Sequence, residues 1–299
     1  MRIVMSGASG MIGTALSEQL TAEGNEVIRL VRRPAESAFE WTWDPDKGEL
    51  DETVLDGADA VVNLSGAGIG DRPWTKRRIK VLTESRLRPT QTLTDAMRRL
   101  STPPGTFISQ SASGFYGASR DGVLREDAAQ GTGVLGHLTF EWERMARTAP
   151  SAVRVVTPRT GVVLSASGGA LGPLLPLLKL GLGGPFGNGR QYWPWITLAD
   201  EARALAYLIT GNLEGPVNVC APESADVNTI VAELAKAFHR PAFLRVPGPA
   251  LKLVLGGLAD ELVMANQRME PARLQEAGFH WLHPTLPDAM AWLHQEMSS

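Results

Sequence analysis

Three glycines, Gly7, Gly10 and Gly13, recur at intervals of three between an apolar run (Ile3, Val4, Met5) and a stretch with an apolar helical face (Ile12, Ala15, Leu16, Leu20). A residue without Cβ is needed where a chain turns sharply, where backbone approaches a phosphate, and where a helix packs closely on a strand. A strand, glycine turn and helix in that order aim backbone N–H groups and the positive end of the helix dipole at one spot, which suits a pyrophosphate. The spacing therefore points to dinucleotide binding, with Gly7, Ser9, Gly10, Met11, Ile12 and Gly13 forming the phosphate loop. Gly24 and Asn25 end the helix, and Val27, Ile28, Leu30 and Val31 make a second strand. That strand runs into Arg32 and Arg33. An acidic residue there would bind the 2′-hydroxyl of NAD, whereas arginine accommodates the 2′-phosphate of NADP. NADP(H) is accordingly expected over NAD(H).

Further candidates lie at later strand ends. Residues 59–63 form a buried strand that ends in Leu64, Ser65 and Gly66, small enough overall to let a cofactor approach the backbone. The strand around 106–110 runs into Ser111-Ala-Ser113-Gly-Phe-Tyr116-Gly117. Hydroxyl groups at the carboxyl end of a central strand are placed for chemistry, which makes Ser111 and Tyr116 the candidate catalytic residues. Segment 161–200 is irregular and rich in glycine and aromatics, and it reads as a substrate-side wall. There Arg190, Trp193 and Trp195 are candidates to grip a planar or anionic small molecule; packing within the loop is the other reading. The five histidines (His137, His239, His280, His283, His294) show no metal-ligand spacing, so no metal site is expected. No Gly-Lys-Ser/Thr phosphate loop for ATP is present.

The elements that must position these residues alternate strand and helix. This implies an α/β fold, a Rossmann-like doubly wound parallel sheet with helices on both faces. The expected organisation is a nucleotide-binding domain over 1–225, including the 161–200 loop, and a mostly helical region over 226–299 with helices near 230–238, 251–255, 272–277 and 286–297. Residues 35–57 read as irregular with a short strand at 39–43. A helix from about Thr75 is expected to break or kink at Pro89, residues 118–134 to form a loop, and a helix to run from Leu135 to Arg147. The chain of 299 residues is 43% hydrophobic and carries a net charge of −3. That charge implies no nucleic-acid partner. The longest apolar stretch, 170–182, is broken by Gly, Pro and Lys179, so no membrane span is expected. The first strand begins at residue 2, so no leader is expected, and the single cysteine, Cys220, fits a reducing cytoplasm. The C-terminal helices are expected either to cover the active site or to form a homodimer contact.

The order of motifs resembles the extended short-chain dehydrogenase/reductases, the NAD(P)-dependent epimerase/dehydratase superfamily. It rests on the glycine loop, Asn63-Leu-Ser-Gly, Ser111-Ala-Ser-Gly-Phe-Tyr-Gly, Pro158-Arg-Thr-Gly and Trp195-Ile-Thr-Leu-Ala-Asp200. Gly181-Leu-Gly-Gly-Pro, Gly189-Arg-Gln, Ser85-Arg86, Trp142-Glu143 and Gly278-Phe are similar to its atypical "epimerase family protein" branch. Members of that branch carry a C-terminal domain of unknown function, matched here by about 248–295. The resemblance implies a Rossmann-like fold, NADP(H), and an oxidoreductase or epimerase activity on a small-molecule substrate. By position it places Gly7, Gly10, Ile12 and Gly13 on the pyrophosphate, Arg32 on the 2′-phosphate, and Leu64 and Ser65 on the adenosine side. It turns Arg86 toward the cofactor and puts Pro158 near the nicotinamide. For Arg86 a surface ion pair with Glu84 is the competing reading.

Most of that superfamily uses a Tyr-x-x-x-Lys pair with a Ser or Thr, the phenol as acid/base and the lysine lowering its pKa. Here Tyr116, Tyr192 and Tyr207 are followed four residues later by Arg120, Ile196 and Gly211. Anchoring on Trp142-Glu143 puts Leu135 and Thr139 at the pair's positions. Three readings follow. Tyr116, with Arg120 lowering its pKa and Ser111 orienting the substrate, replaces the pair, although relatives carry a matching tyrosine beside the usual pair, which makes packing the competing reading of Tyr116; or hydride transfer proceeds with the proton drawn from water; or the protein is an NADP(H)-binding redox sensor without turnover.

Overall fold

In strand β1 (Arg2–Ser6), Ile3 and Met5 point to one face of the sheet and Val4 to the other, and all three are fully buried. Burial on both faces is what a continuous apolar run in a parallel sheet predicts. Each such side chain contributes roughly 1.5–3 kcal/mol of transfer free energy. A computed structural model describes residues 1–166, 168–169, 184–239, 247–249, 257 and 259–297. The helix expected at 251–255, residues 170–183 of the glycine-rich segment and the Arg120 side chain lie outside the described residues.

Helix α1 (Met11–Ala22) returns the chain to β2 (Glu26–Val31), then β3 (Glu40–Thr42) and β4 (Ala60–Asn63) follow. Helix α2 (Lys76–Arg99), β5 (Thr106–Ser109), β6 (Ser111–Ala112), β7 (Ser119–Leu124), α3 (Gly133–Ala146) and β8 (Arg154–Thr160) come next. The remainder comprises β9 (Val162–Ser165), β10 (Trp195–Thr197), α4 (Leu198–Thr210), β11 (Gly215–Val219), α5 (Val227–Ala237), β12 (Asn266–Met269), α6 (Ala272–Glu276) and α7 (Leu286–Glu296). The main sheet is eight-stranded and parallel, in the order β11-β8-β5-β4-β1-β2-β3, with β6 paired beside β8. The order reverses between β1 and β4, which opens a ligand crevice at their carboxyl ends. Ile3, Met5, Leu16, Ile108, Val156 and Leu205 pack on one face under α1 and α4. On the other, Val4, Val61, Leu93, Met97, Phe107 and Val155 pack under α2.

Two elements differ from expectation. Helix α2 passes through Pro89 without a break. Pro89 is buried, and Thr90 and Thr92 donate to the carbonyls of Arg86 and Arg88 one turn back, at 2.7 and 2.9 Å. The packed face and these hydroxyls hold the helix where one backbone N–H is missing. Residues 119–124, read as loop, form β7 and pair in parallel with β12 of the C-terminal region. That partner is more than a hundred residues away, so no local signal announces it. No helix among the described residues is long and apolar enough to cross a membrane.

Candidate functional site

The glycine loop is closed toward the sheet and open outward. Gly7 has φ +73, and a Cβ there would stand 2.6 Å from the Leu64 carbonyl carbon. At Gly13 a Cβ would run into the Gly7 oxygen and stand 2.8 Å from Ala8 Cα. Gly10 is the N-cap of α1, with no side-chain cap and no acidic residue in the first turn. Ser9 and Gly10 are exposed, whereas Met11 and Ile12 are half-buried, Ile12 against the core. The first turn of α1 therefore offers its N–H groups and dipole to an outside anion rather than to its own side chains. These residues fit a pyrophosphate: the two places where a Cβ would intrude are glycine, and the approach is clear.

At the end of β2 the two arginines part company. Arg33 donates from Nη1 and Nη2 to the two oxygens of Glu40, at 2.8 and 2.9 Å. Bonded by Arg33 and by the Glu36 backbone N–H, the Glu40 carboxyl falls to about 2. Arg33 was expected beside Arg32 as a phosphate ligand. That reading is corrected: its guanidinium is bidentately paired on β3. Arg32 is exposed, with no hydrogen-bond or ionic partner among the described residues. It alone of the two is free for a 2′-phosphate.

The bend after β4 is held from inside. Ser6 donates to Asn63 Oδ1 at 2.7 Å, the Ser65 backbone N–H to the same oxygen at 3.1 Å, and the Ser65 hydroxyl to Ser6 at 2.9 Å. Asn63 donates in turn to Thr90 of α2 at 2.9 Å. Leu64 packs on the core and Gly66 is exposed. Arg86 leaves α2 toward this bend, donating to the carbonyls of Ala67 and Leu82. Glu84 pairs with Arg88 at 3.0 Å instead of with Arg86. Pro158 is buried in β8, in register with Val217.

The two candidate catalytic residues are corrected. Ser111 is 1% exposed and donates to Glu143 Oε1 at 2.8 Å. Tyr116 is fully buried; its hydroxyl donates to Asn218 Oδ1 at 2.6 Å and accepts from Arg159 Nη1 at 3.0 Å. Burial pushes this phenol up to about 12. Arg159 also pairs with Glu143, Nε to Oε1 at 2.8 Å, and lies over the Phe115 ring with Cζ 3.4 Å from its centroid. Ser111, Glu143, Arg159, Tyr116 and Asn218 are thus one buried polar network that ties α3 to β6, β8 and β11. Such a network fixes the scaffold and leaves neither hydroxyl free to exchange protons with a substrate. Glu143, Arg159 and Asn218 were missed as a group. The available signal was Glu143 itself, a charge on the apolar stripe of Leu135, Leu138, Trp142 and Ala146.

At the two positions that the resemblance assigns to the pair, α3 presents Leu135 and Thr139, both buried. Leu135 packs with Leu82, Leu138, Ala67, Ile69 and Trp74. Thr139 donates to the Leu135 carbonyl at 2.7 Å. The N-terminus of α3 is held from afar: Glu261 accepts from Val134 N at 2.9 Å and from Leu135 N at 2.8 Å, over Gly133 with φ +94.

The substrate-side tryptophans are corrected as well. Trp195 is 1% exposed, and Trp193 packs against Phe186, with centroids 5.0 Å apart and planes tilted by 46°, and donates to the Val263 carbonyl. Both belong to an apolar cluster with Val227, Ile230, Leu286 and Leu293 that seats α5 and α7. Loop aromatics here bury area between two helices rather than line a pocket. Arg190 is exposed.

Residues 3–220 match the model of the NAD dependent epimerase/dehydratase family, and residues 246–293 match a domain of unknown function, DUF1731. The chain belongs to the NAD dependent epimerase/dehydratase family. Within it, Epimerase family protein MT2273 of Mycobacterium tuberculosis is 40% identical over 292 residues, covering 97% of this chain and 96% of that one. The crystal structure of human epimerase family protein SDR39U1 (isoform 2) with NADPH superposes with a TM-score of 0.90 at 32% identity, covering 99% of both chains. The nucleoside-diphosphate sugar epimerase from Corynebacterium glutamicum superposes with a TM-score of 0.78 at 32% identity, covering all of this chain and 58% of that one.

Proposed function

We propose that the protein is an NADP(H)-dependent oxidoreductase or epimerase-type enzyme of this family, acting on a small molecule without the Tyr-x-x-x-Lys pair. The uncapped N-terminus of α1 within its glycine loop carries the reading. Backbone N–H groups from Gly10 to Gly13 take the pyrophosphate, and Gly7 and Gly13 keep the loop tight enough to aim them. Arg32, exposed and without a partner among the described residues, takes the 2′-phosphate, which favours NADP(H) over NAD(H). Leu64, Ser65 and Gly66 line the adenosine side. The likeness to human SDR39U1, solved with NADPH, supports this choice. When bound, the nicotinamide supplies or accepts a hydride. The buried free thiol of Cys220 suits a cytoplasmic setting.

The test is titration with NADPH and NADH, following energy transfer from tryptophan to the bound nicotinamide. NADPH binds the more tightly, and Arg32→Ala lowers its affinity about tenfold to a hundredfold while leaving NADH nearly unchanged. Folded protein that binds neither dinucleotide would sink the proposal.

The burial of Ser111 and Tyr116 favours a second reading, an NADP(H)-binding redox sensor. A sensor oxidises no NADPH with any acceptor and binds a partner protein in one redox state only. Slow oxidation with any acceptor returns the enzyme.

A further inference from the structure

The first turns of α2 carry Lys76, Arg77, Arg78 and Lys80. Lys76, Arg77 and Lys80 are exposed, whereas Arg78 is turned inward, its side chain 13% exposed. Its Nη2 donates to the Gly68 carbonyl, in the loop that follows β4. Its Nε is buried and has no hydrogen-bond partner among the described residues. Arg86, about two turns further along α2, brings a second charge close by: burial, and then the charge of Arg78, lower the Arg86 guanidinium to about 10. Among the described residues the one carboxylate that pairs with either arginine is Asp71 of the same loop, its Oδ2 3.7 Å from Arg78 Nη2. That pairing is weak, being longer than a hydrogen bond and made by a side chain that is 67% exposed. Asp71 nevertheless folds back over the loop, where a Cβ on Gly68 would run into both of its carboxylate oxygens. A buried guanidinium donor without an acceptor is unfavourable, and a loosely held, exposed carboxylate is an acceptor that another oxyanion can replace.

The position of the loop says whose oxyanion that is. Strand β1 carries the glycine loop; β2 lies on one side of it and ends at Arg32, and β4 lies on the other. With Arg32 at the adenosine end, the loop after β4 stands at the reacting end of the crevice. Its Ala67, Ile69 and Trp74 share an apolar cluster with Leu135, one of the two positions that the resemblance assigns to the tyrosine–lysine pair. We propose that the substrate carries an oxyanion, a phosphate or a carboxylate, which Arg78 binds through Nε in place of Asp71. This names a substrate class for the enzyme reading above and rests on it.

Calorimetric titration of the NADPH-saturated protein with inorganic phosphate, at constant ionic strength, tests this while the glycine loop and Arg32 are occupied. Sodium acetate in a parallel titration separates the two sources: a site for a phosphate prefers the first anion, and a site for a carboxylate takes the second at least as well. For the anion that binds, Arg78→Gln weakens binding about tenfold or more, and Asp71→Asn strengthens it about threefold to tenfold. The gain in Asp71→Asn does not depend on how Arg78→Gln folds. It also separates the proposal from a purely structural Arg78, which would hold the loop through Gly68 and leave anion affinity no higher when Asp71 is neutralised. Binding of neither anion, or equal binding by the parent and both variants, overturns the assignment. Parent protein that binds no NADPH removes the enzyme reading together with this one, whereas intact NADPH binding with no tighter anion binding in Asp71→Asn removes this one alone.

Discussion

The glycine loop and the Ser111–Tyr116 segment both sit at carboxyl ends of central strands, yet they treat their polar groups in opposite ways. At the loop, the first turn of α1 has no side-chain cap, Ser9 and Gly10 are exposed, and Arg32 has no hydrogen-bond or ionic partner among the described residues. At the segment, Ser111 and Tyr116 are joined through Glu143, Arg159 and Asn218 into one buried network. Polar groups buried in water-free surroundings must find partners within the protein, and groups that find them become scaffold. Groups left open at a crevice keep their capacity for a ligand. The Ser111–Tyr116 segment is of the first kind, and the glycine loop is of the second.

Breaking the buried network gives the largest expected effect. Glu143→Ala leaves Arg159 charged and uncompensated at 3% exposure, and stability falls by about 3–5 kcal/mol in urea unfolding. A loss under about 1 kcal/mol would mean that the network does not hold α3. Glu201 of α4 sharpens the contrast, because it is the half-satisfied member of the buried side. Thr160 donates to its Oε1 at 2.7 Å, whereas Oε2 has no hydrogen-bond partner among the described residues, and burial raises the carboxyl from 4.5 to about 8. Between those values the folded state keeps a proton that the unfolded chain has released, so this group's contribution to stability declines as pH rises from about 4.5 to 8. Glu201→Gln removes the decline: relative to their difference at pH 4, the variant gains roughly 3 kcal/mol on the parent at pH 7. Parallel pH profiles for the two proteins would show that folding leaves the Glu201 carboxyl unshifted.

On the open side, Gly7→Ala meets both a positive φ and the Leu64 backbone. It costs about 2 kcal/mol and depresses NADPH affinity, measured by melting and by titration. Undiminished affinity would show that the loop shape is irrelevant to the ligand. The smallest effect comes from Tyr116→Phe, which deletes one hydroxyl from the network and lowers stability by about 1 kcal/mol with NADPH affinity intact. Should this variant keep full stability but lose turnover with an acceptor that the parent reduces, the buried side is catalytic after all.

The glycine loop was legible because its requirements are local: Gly7, Gly10 and Gly13 lie within seven residues of one another, and each answers a nearby steric demand. Alternating strands and helices gave the parallel sheet for the same reason. What stayed hidden depends on distance. Glu40 claims Arg33 only once β3 lies beside β2. Trp193 and Trp195 look like a pocket wall until α5 and α7 fold over them. Tyr116 looks reactive until Asn218, 102 positions later, takes its hydroxyl. Pro89 reads as a break because the threonine hydroxyls and the packing that carry α2 through it are tertiary.

Glu261 sets an order of events in time. It is 127 positions beyond Val134, whose N–H it accepts, and it lies in the segment matching the domain of unknown function. On a ribosome adding about 5–20 residues per second, the N-terminus of α3 is made roughly 6–25 s before its cap exists. By the end of that interval the nascent amino-terminal lobe has all the strands of its main sheet but a third helix whose first turn still lacks Glu261, and a message truncated after residue 225 would leave it so permanently.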